Sequence, residues 1–256
     1  MIKLDKNIKV VVSGCCGRMG RIVVEELKNE SDMVITSGLG TSCSKVDNVD
    51  VYDSKSFNSP HDVIIDFSNP SALDSIFEIS KKFGSNLVLC TTGYSKNQIE
   101  QIKEFSKNRA VFMSSNTSLG IHVILETSKL AKKMLGDSFD IEIIEKHHNK
   151  KIDAPSGTAL MISDALSDKD TKIIFDRTKE RRERSKNEIG IHSIRGGGLT
   201  GEHEVLFIGQ NELISVNHVS YSRRIFAQGA IRAARFIVDK QNGMYVMRNL
   251  FTNQRS

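Results

Sequence analysis

The feature that most restricts how this chain can fold is the alternation in its first half. Strand-like runs "IKVVVSG", "DMVITSGL", "DVIIDFS", "NLVLCTTG" and "AVFMSSN" are separated by segments whose apolar residues recur at helical spacing, such as Ile22, Val23 and Leu27, or Leu73, Ile76, Phe77 and Phe83. Strands that alternate with helices in this way pair in parallel, because each helix carries the chain back across the sheet. The expected result is a parallel sheet covered by helices. Ser95 followed by Gln98 forms a capping box for the helix that holds Ile99 and Ile102.

The texture changes after Asn116. One long helical pattern runs from Ser118 to Leu135, followed by "FDIEIIEKHH" and then by period-2 stretches "IGIHSIRGG", "EHEVLFIG" and "ELISVNHVS". The last two flank a "GQNE" turn and read as antiparallel β. A second domain of a different class therefore starts near Ser118. From Arg224 the pattern returns to helix, with Phe226, Ala230, Ala233 and Ile237 on one face, and this tail is expected to pack on the first domain.

Composition narrows the class further. A chain of 256 residues with 39% hydrophobic content can bury a substantial core. The opening "MIKLDKNIKVVVSG" lacks the apolar segment and cleavage site of a signal peptide, and no later stretch is long and apolar enough for a membrane span, so a cytoplasmic protein is expected. Cys15, Cys16, Cys43 and Cys90 show neither C-x-x-C spacing nor a disulfide framework and read as reduced thiols. The net charge of +5 raises the question of nucleic acid, but the one strong basic run, "RTKERRERSK", carries interleaved glutamates and no aromatics. It reads as a solvated, mobile loop, and no nucleic-acid partner is expected.

Two motifs carry chemistry. In "VVSGCCGRMG", Gly14, Gly17 and Gly20 lie between the first strand and a helix. Glycines there permit a tight turn, close approach of the backbone to a pyrophosphate, and close helix packing, with the helix N-terminus facing the phosphates. The second strand should end in a carboxylate for the ribose hydroxyls, but "SGLGTSCS" has none. Either the turn ends elsewhere, or Thr41, Ser42 and Lys45 face the ribose, which would tolerate a 2′-phosphate.

The second motif is "EKHHNKKIDAPSGTAL". Strand alternation puts His147 and His148 on opposite faces unless the strand ends there. "DAPSGTAL" supplies a helix start whose free N–H groups near Gly157 and Thr158 suit a carboxylate. Read from spacing alone, the block is a solvated turn, a metal site or a proton-transfer centre for an acidic substrate. Zinc on His147, His148, His192 and His203 is disfavoured, since adjacent histidines chelate one tetrahedral ion poorly, and no metal is expected.

Taken together, "GCCGRMG", "DFSNP", "CTTGYS", "EKHHNKKIDAPSGTAL", "SIRGGGLTGEHEVLF" and "SRRIFAQGAIRAA" resemble the dihydrodipicolinate reductase (4-hydroxy-tetrahydrodipicolinate reductase) family, nearly end to end. The resemblance implies an α/β chain. Residues 1–117, completed by 229–256, form a Rossmann-type dinucleotide-binding domain; residues 118–228 form an α+β domain with a mostly antiparallel sheet for substrate binding and assembly, usually as a homotetramer. It implies that His147 and Lys151 are the proton-transfer pair and that His148, Gly157 and Thr158 contact substrate. Gly14, Cys15, Cys16, Gly17, Arg18 and Met19 match the pyrophosphate loop. Cys90, Thr91 and Thr92 match the nicotinamide side, and Ser114, Ser115, Asn116 and Thr117 a third cofactor segment.

The activity implied is reduction by NADPH or NADH of a cyclic imine dicarboxylate, 4-hydroxy-tetrahydrodipicolinate, in the diaminopimelate route to lysine. Loss of the 4-hydroxyl gives a conjugated imine, hydride adds at C4, and the resulting enamine is protonated by Lys151 or His147. Closure over the substrate is expected. Gly40 stands where the family has an acidic ribose ligand, so the reading leans toward NADPH. The alternative is a dinucleotide-binding regulator or scaffold without turnover, which would have no reason to keep His147, Lys151 and the Ser156–Thr158 helix start together. A second enzyme class, an aldehyde dehydrogenase with a cysteine nucleophile, is disfavoured because every cysteine lies in the nucleotide half.

Overall fold

The structure, a computed structural model, describes residues 7–175 and 177–252. The chain divides into two compact units, one of residues up to Ser118 together with those from Arg223 onward, the other Leu119–Ser222.

The first unit begins β1 (Ile8–Ser13), α1 (Arg18–Leu27), β2 (Met33–Leu39), β3 (Lys45–Val46), β4 (Val49–Tyr52), β5 (Val63–Asp66), α2 (Leu73–Phe83), β6 (Asn86–Leu89), α3 (Lys96–Ser106) and β7 (Ala110–Met113). The second contains α4 (Leu119–Leu135), β8 (Asp140–His147), α5 (Gly157–Leu166), β9 (Lys172–Ile174), β10 (Glu188–Arg195), β11 (Gly201–Ile208) and β12 (Leu213–Ser220). The chain then returns to the first unit with α6 (Arg224–Ile237), β13 (Gly243–Tyr245) and α7 (Asn249–Thr252).

The first sheet has the order β13-β7-β6-β5-β1-β2-β4-β3, and only the short β3–β4 pairing is antiparallel. The five strand-like runs are β1, β2, β5, β6 and β7. Their near-continuous apolar character follows from burial on both faces: Val10, Val11 and Val12 are all fully buried, as are Val63, Ile64 and Ile65. The Ser95 capping box is present in both directions, with Gln98 N donating to Ser95 Oγ (3.2 Å) and Ser95 N to Gln98 Oε1 (3.0 Å). The C-terminal tail packs on this unit. Helix α6 lies against α1, β5 and β6, Arg235 is ion-paired with Asp32 and Glu30, and β13 extends the sheet beyond β7.

In the second unit the sheet order is β12-β11-β8-β10-β9. β8, β11 and β12 pair antiparallel, with Gly209–Glu212 closing the β11–β12 hairpin, while β10 pairs in parallel with β8 and β9. A parallel partner requires a crossover, which the segment through α5 supplies. Strand β8 alternates strictly, so Ile141, Ile143, Glu145 and His147 are more buried than their neighbours and share a face. Ile141 and Ile143 pack with Ile121, Ile124 and Leu125 of α4 and Ala159, Ile162 and Leu166 of α5. One face of one strand thus passes from hydrophobic core to chemistry within two residues.

The basic run is a loop exposed at Lys179, Arg181, Arg182, Glu183 and Lys186, in which three arginines are anchored. Arg184, expected in a solvated and mobile loop, donates to Asp140 Oδ1 (2.6 Å), Glu142 Oε1 (3.1 Å) and the carbonyls of Ile141 and Glu188. Arg177 and Arg182 each pair with the buried Glu188 at 2.6 Å. Carboxylates at the starts of the two inner strands β8 and β10 order these arginines, two of them, Asp140 and Glu142, some forty residues away in sequence. No helix among the described residues is long and apolar enough to cross a membrane.

Candidate active site

The glycine loop follows β1, at the carboxyl end of the parallel sheet and beside the C-terminus of β5. This is where an open α/β sheet places its ligand crevice. Gly14 has φ +74°, and a Cβ there would lie 2.5 Å from the Phe67 carbonyl oxygen. A Cβ on Gly20 would fall 2.2 Å from the Gly14 carbonyl oxygen, so α1 can approach its own loop this closely only without a side chain. Gly17 caps α1 without any side-chain hydrogen bond, which leaves the first N–H groups of the helix for a ligand. A groove of about 470 Å³ opens here, lined among others by Gly14, Cys16, Gly17, Gly40, Thr41 and Ser42.

The other expected cofactor segments lie at neighbouring strand ends, Cys90–Thr92 after β6 and Ser114–Thr117 after β7, and do not line this groove. Asp66, fully buried at the end of β5, ties the local loops together. It accepts from Thr91 Oγ1 (2.6 Å), Ser68 Oγ (2.6 Å) and Tyr94 Oη (3.3 Å). Thr91 is therefore engaged with the protein. Ser114 Oγ donates to the Asn116 carbonyl (2.6 Å), which shapes the third segment. Cys15, Cys90 and Thr117 are buried, and Thr117 Oγ1 donates to the Phe226 carbonyl (2.7 Å), so these side chains face the interior. Thr92, Arg18, Met19 and Ser115 stand in the same three segments and are not fully buried.

Two of the four cysteines depart from the expected reduced state: Cys16 and Cys43 are joined in a disulfide, with Cα atoms 5.9 Å apart. The turn after β2 folds back over the glycine loop, bringing together residues that spacing rules treat as unrelated. Cys15 and Cys90 are free and buried. The same fold brings Asp53, just beyond β4, to the groove wall. Its Oδ1 accepts from the Lys55 and Ser56 backbone N–H groups (2.8 and 2.9 Å), and these bonds hold its carboxyl below the usual range.

In the second unit the titratable block closes on one buried carboxylate. Glu145 is fully buried and receives both terminal nitrogens of Arg195, at 2.7 and 2.8 Å, the Ser156 N–H at 3.2 Å, and His147 Nδ1 at 2.5 Å. Burial alone would raise its pKa, but the Arg195, Ser193 and His147 hydrogen bonds outweigh that and hold it at about 2. An ionised Glu145 fixes the His147 proton on Nδ1 and leaves Nε2 as an acceptor. His147 is held below its usual range, chiefly by burial, with the Glu145 contacts opposing, so it is neutral near pH 7. Its Nε2 edge faces Gly201, where a Cβ would lie 3.1 Å away.

Lys151 sits in the turn after β8, its ammonium bound by both oxygens of Asp153 at 2.8 Å. The Ala154–Pro155 peptide is cis and leads into Ser156, the N-cap of α5. Ser156 Oγ accepts from Ala159 N (3.1 Å) and bonds His203 Nε2 (2.9 Å). His203 is buried, which drives its pKa down to about 3 and keeps it neutral. Gly157 is exposed with no atom within 4 Å of an added Cβ, so the helix start is open. His148 lies just past the strand end, and its Nδ1 is buried without a hydrogen-bond partner.

His147, Lys151 and the α5 start thus stand in one unit around Glu145. Glu145 and Arg195 were not singled out by sequence, and His203 was weighed there only as a disfavoured zinc ligand. For Glu145 a signal existed: a carboxylate two residues before a histidine in a strand shares its face.

A Rossmann-type sheet presenting a glycine loop and an uncapped helix start, with a carboxylate-oriented histidine and a lysine in a second unit, defines a dinucleotide-dependent α/β oxidoreductase. The chain belongs to the dihydrodipicolinate reductase family: the model of that family's N-terminus matches residues 8–117 and that of its C-terminus residues 120–251. It is 43% identical over 244 residues to the 4-hydroxy-tetrahydrodipicolinate reductase of Clostridium novyi (strain NT), covering 93% of this chain and 96% of the relative. Identity to the reductase of the same name from Caldanaerobacter subterraneus subsp. tengcongensis is 39% over 246 residues, covering 95% and 98%. Among solved structures, the dipicolinate-bound dihydrodipicolinate reductase from Paenisporosarcina sp. TG-14 shares the fold, with a TM-score of 0.72 at 23% identity over 94% of this chain and 97% of that one. The family uses a nicotinamide dinucleotide.

Proposed function

We propose that this chain reduces 4-hydroxy-tetrahydrodipicolinate to tetrahydrodipicolinate with NAD(P)H, in the diaminopimelate route to lysine. The observation that carries the reading is the single site built by the "HHNKKIDAPSGT" block, in which buried Glu145 orients His147 beside Lys151 and the open start of α5. The bound nicotinamide supplies hydride to the substrate ring. The N–H groups at Gly157 and Thr158 hold a substrate carboxylate, where the helix end favours negative charge. His148 offers its unpartnered Nδ1 to the same ligand. Protonation of the enamine falls to Lys151, which carries the proton as an ammonium, while neutral His147 accepts through Nε2.

The dinucleotide is held by Gly14–Met19, with Cys90–Thr92 and Ser114–Thr117 at the adjoining strand ends. NADPH serves at least as well as NADH. Gly40 leaves the end of β2 without a carboxylate, Thr41 and Ser42 offer hydroxyls on the groove, and one oxygen of Asp53 is engaged by its own turn. As an enzyme of amino-acid biosynthesis the chain is placed in the cytoplasm. A homotetramer is supported by the edge strand β12, which exposes Leu213 and Val219; a monomer in light scattering at micromolar concentration would overturn that part.

The test follows nicotinamide absorbance with substrate generated from pyruvate and aspartate semialdehyde. Oxidation dependent on both precursors and on the condensing enzyme is expected. Dinucleotide binding without turnover would favour a regulator instead.

A further inference from the structure

We propose that Cys15, Cys16 and Cys43, once the Cys16–Cys43 bond is reduced, form a three-thiolate site for one soft divalent cation of the zinc class, and that an occupied site excludes the dinucleotide. The three sulfur atoms all lie within 4.8 Å of one another. Sulfurs bound at about 2.3 Å to a tetrahedral cation stand roughly 3.8 Å apart, so small side-chain motions close the shell and leave one position for water. Adjacent residues rarely share one ion, but here the left-handed turn at Gly14 and the entry into α1 direct both sulfurs toward the β2 side of the loop. Cys15 Sγ lies 3.5 Å from the Leu39 carbonyl, and Cys16 Sγ would be 3.0 Å from a Cβ on Gly40.

The chemistry fits soft cations. Thiolates select zinc-class and softer metals over magnesium and calcium. Reduction takes two electrons and two protons from a dithiol, which becomes a disulfide, and metal binding then releases the thiol protons to solvent. Three thiolates and one dication leave a net charge of −1. That charge sits where the uncapped start of α1 would otherwise receive a pyrophosphate, and Cys16 itself lines the groove. The exclusion half of the proposal rests on reading this groove as the dinucleotide site.

The test uses the full chain, reduced by a water-soluble phosphine, which with one water gives two thiols and the phosphine oxide. Anaerobic titration with Cd2+ should give a thiolate-to-cadmium ultraviolet band that saturates at one ion per chain. The band should be absent without reduction, unchanged in Cys90→Ala, and about a hundredfold weaker in apparent affinity in Cys43→Ser. NADPH binding to the reduced, metal-free chain should weaken at least about tenfold when one equivalent of Zn2+ is added. No band in the reduced chain, or equal bands in wild type and Cys43→Ser, overturns the metal site. Undiminished NADPH binding by the zinc-loaded chain overturns the exclusion. Failure of the metal-free chain to bind NADPH at all overturns the groove reading and the exclusion with it, while the band still decides the metal site.

Discussion

Two helices of this chain begin at the candidate site positions, and they begin in opposite ways. Helix α1 starts after Gly17 with no capping side chain, and the glycines before and within its first turn are crowded: added Cβ atoms would meet backbone at 2.5 Å on Gly14 and 2.2 Å on Gly20. Helix α5 starts after Ser156, whose hydroxyl caps Ala159, and its first glycine, Gly157, faces open space. The first start is shaped by backbone, the second by side chains that converge on a buried carboxylate. A site shaped by backbone places few demands on the side chains between its glycines. A side-chain site depends on each partner.

The largest expected effect falls on the side-chain site. Lys151→Met should lower kcat by about 10² to 10⁴, as for loss of a positioned acid, while dinucleotide affinity stays at the wild-type value. Turnover and fluorescence titration on one preparation separate the two. A near-normal rate would remove Lys151 from proton transfer, and a loss of dinucleotide affinity would break the division between the two helix starts.

Acid should attack the same site. His203 titrates at about 3 when folded against about 6.5 unfolded, so the unfolded chain binds this proton first. Its stabilising contribution is present above pH 6.5 and is lost as pH falls toward 3, on the order of 5 kcal/mol in all. Glu145, depressed from 4.5 to about 2, adds a loss of the same sign below pH 4.5. Amide exchange should therefore show α5 opening on acidification, and His203→Gln should flatten that limb. An unchanged limb in the variant would mean that other groups set the acid response.

The glycines sharpen the contrast directly. Gly20→Ala forces a backbone clash and should destabilise the first unit by about 1 to 3 kcal/mol, with loss of dinucleotide binding. Gly157→Ala meets nothing and should leave thermal stability equal or slightly raised, by up to about 1 kcal/mol, while KM for the substrate rises. Equal stability losses at both positions would erase the distinction.

The smallest effect concerns cofactor choice. Gly40→Asp should shift the ratio of kcat/KM toward NADH by about tenfold, the scale of one charge-assisted hydrogen bond. A wild type that already prefers NADH strongly would point to Asp53 as the residue that reads the ribose.

Periodicity made much of the fold legible. Five parallel strands, the Ser95 cap, the helix ending at Leu135 and the β11–β12 hairpin all carry local patterns. Strands of two or three residues, such as β3, β9 and β13, are too short to show a period. The pairing of β10 with β8 and the Cys16–Cys43 bond depend on where distant segments meet, which no window of sequence contains. Within the site, His147 and Lys151 stood out because titratable residues clustered. Arg195 did not, because its carboxylate partner lies fifty residues away and an isolated arginine reads as surface charge. Thr117 matched a cofactor segment by position, yet its hydroxyl is turned to the Phe226 carbonyl.

The central claim is that this chain joins dinucleotide binding in one unit to proton delivery in the other so as to reduce a cyclic imine. The most direct measurement supplies reduced nicotinamide carrying two deuterium atoms at C4, with substrate generated from pyruvate and aspartate semialdehyde, and determines the mass of the product. The account predicts one deuterium per product molecule, transferred at the wild-type rate and about 10² to 10⁴ more slowly in Lys151→Met. Product without deuterium, or nicotinamide oxidation that proceeds equally without substrate, would contradict it.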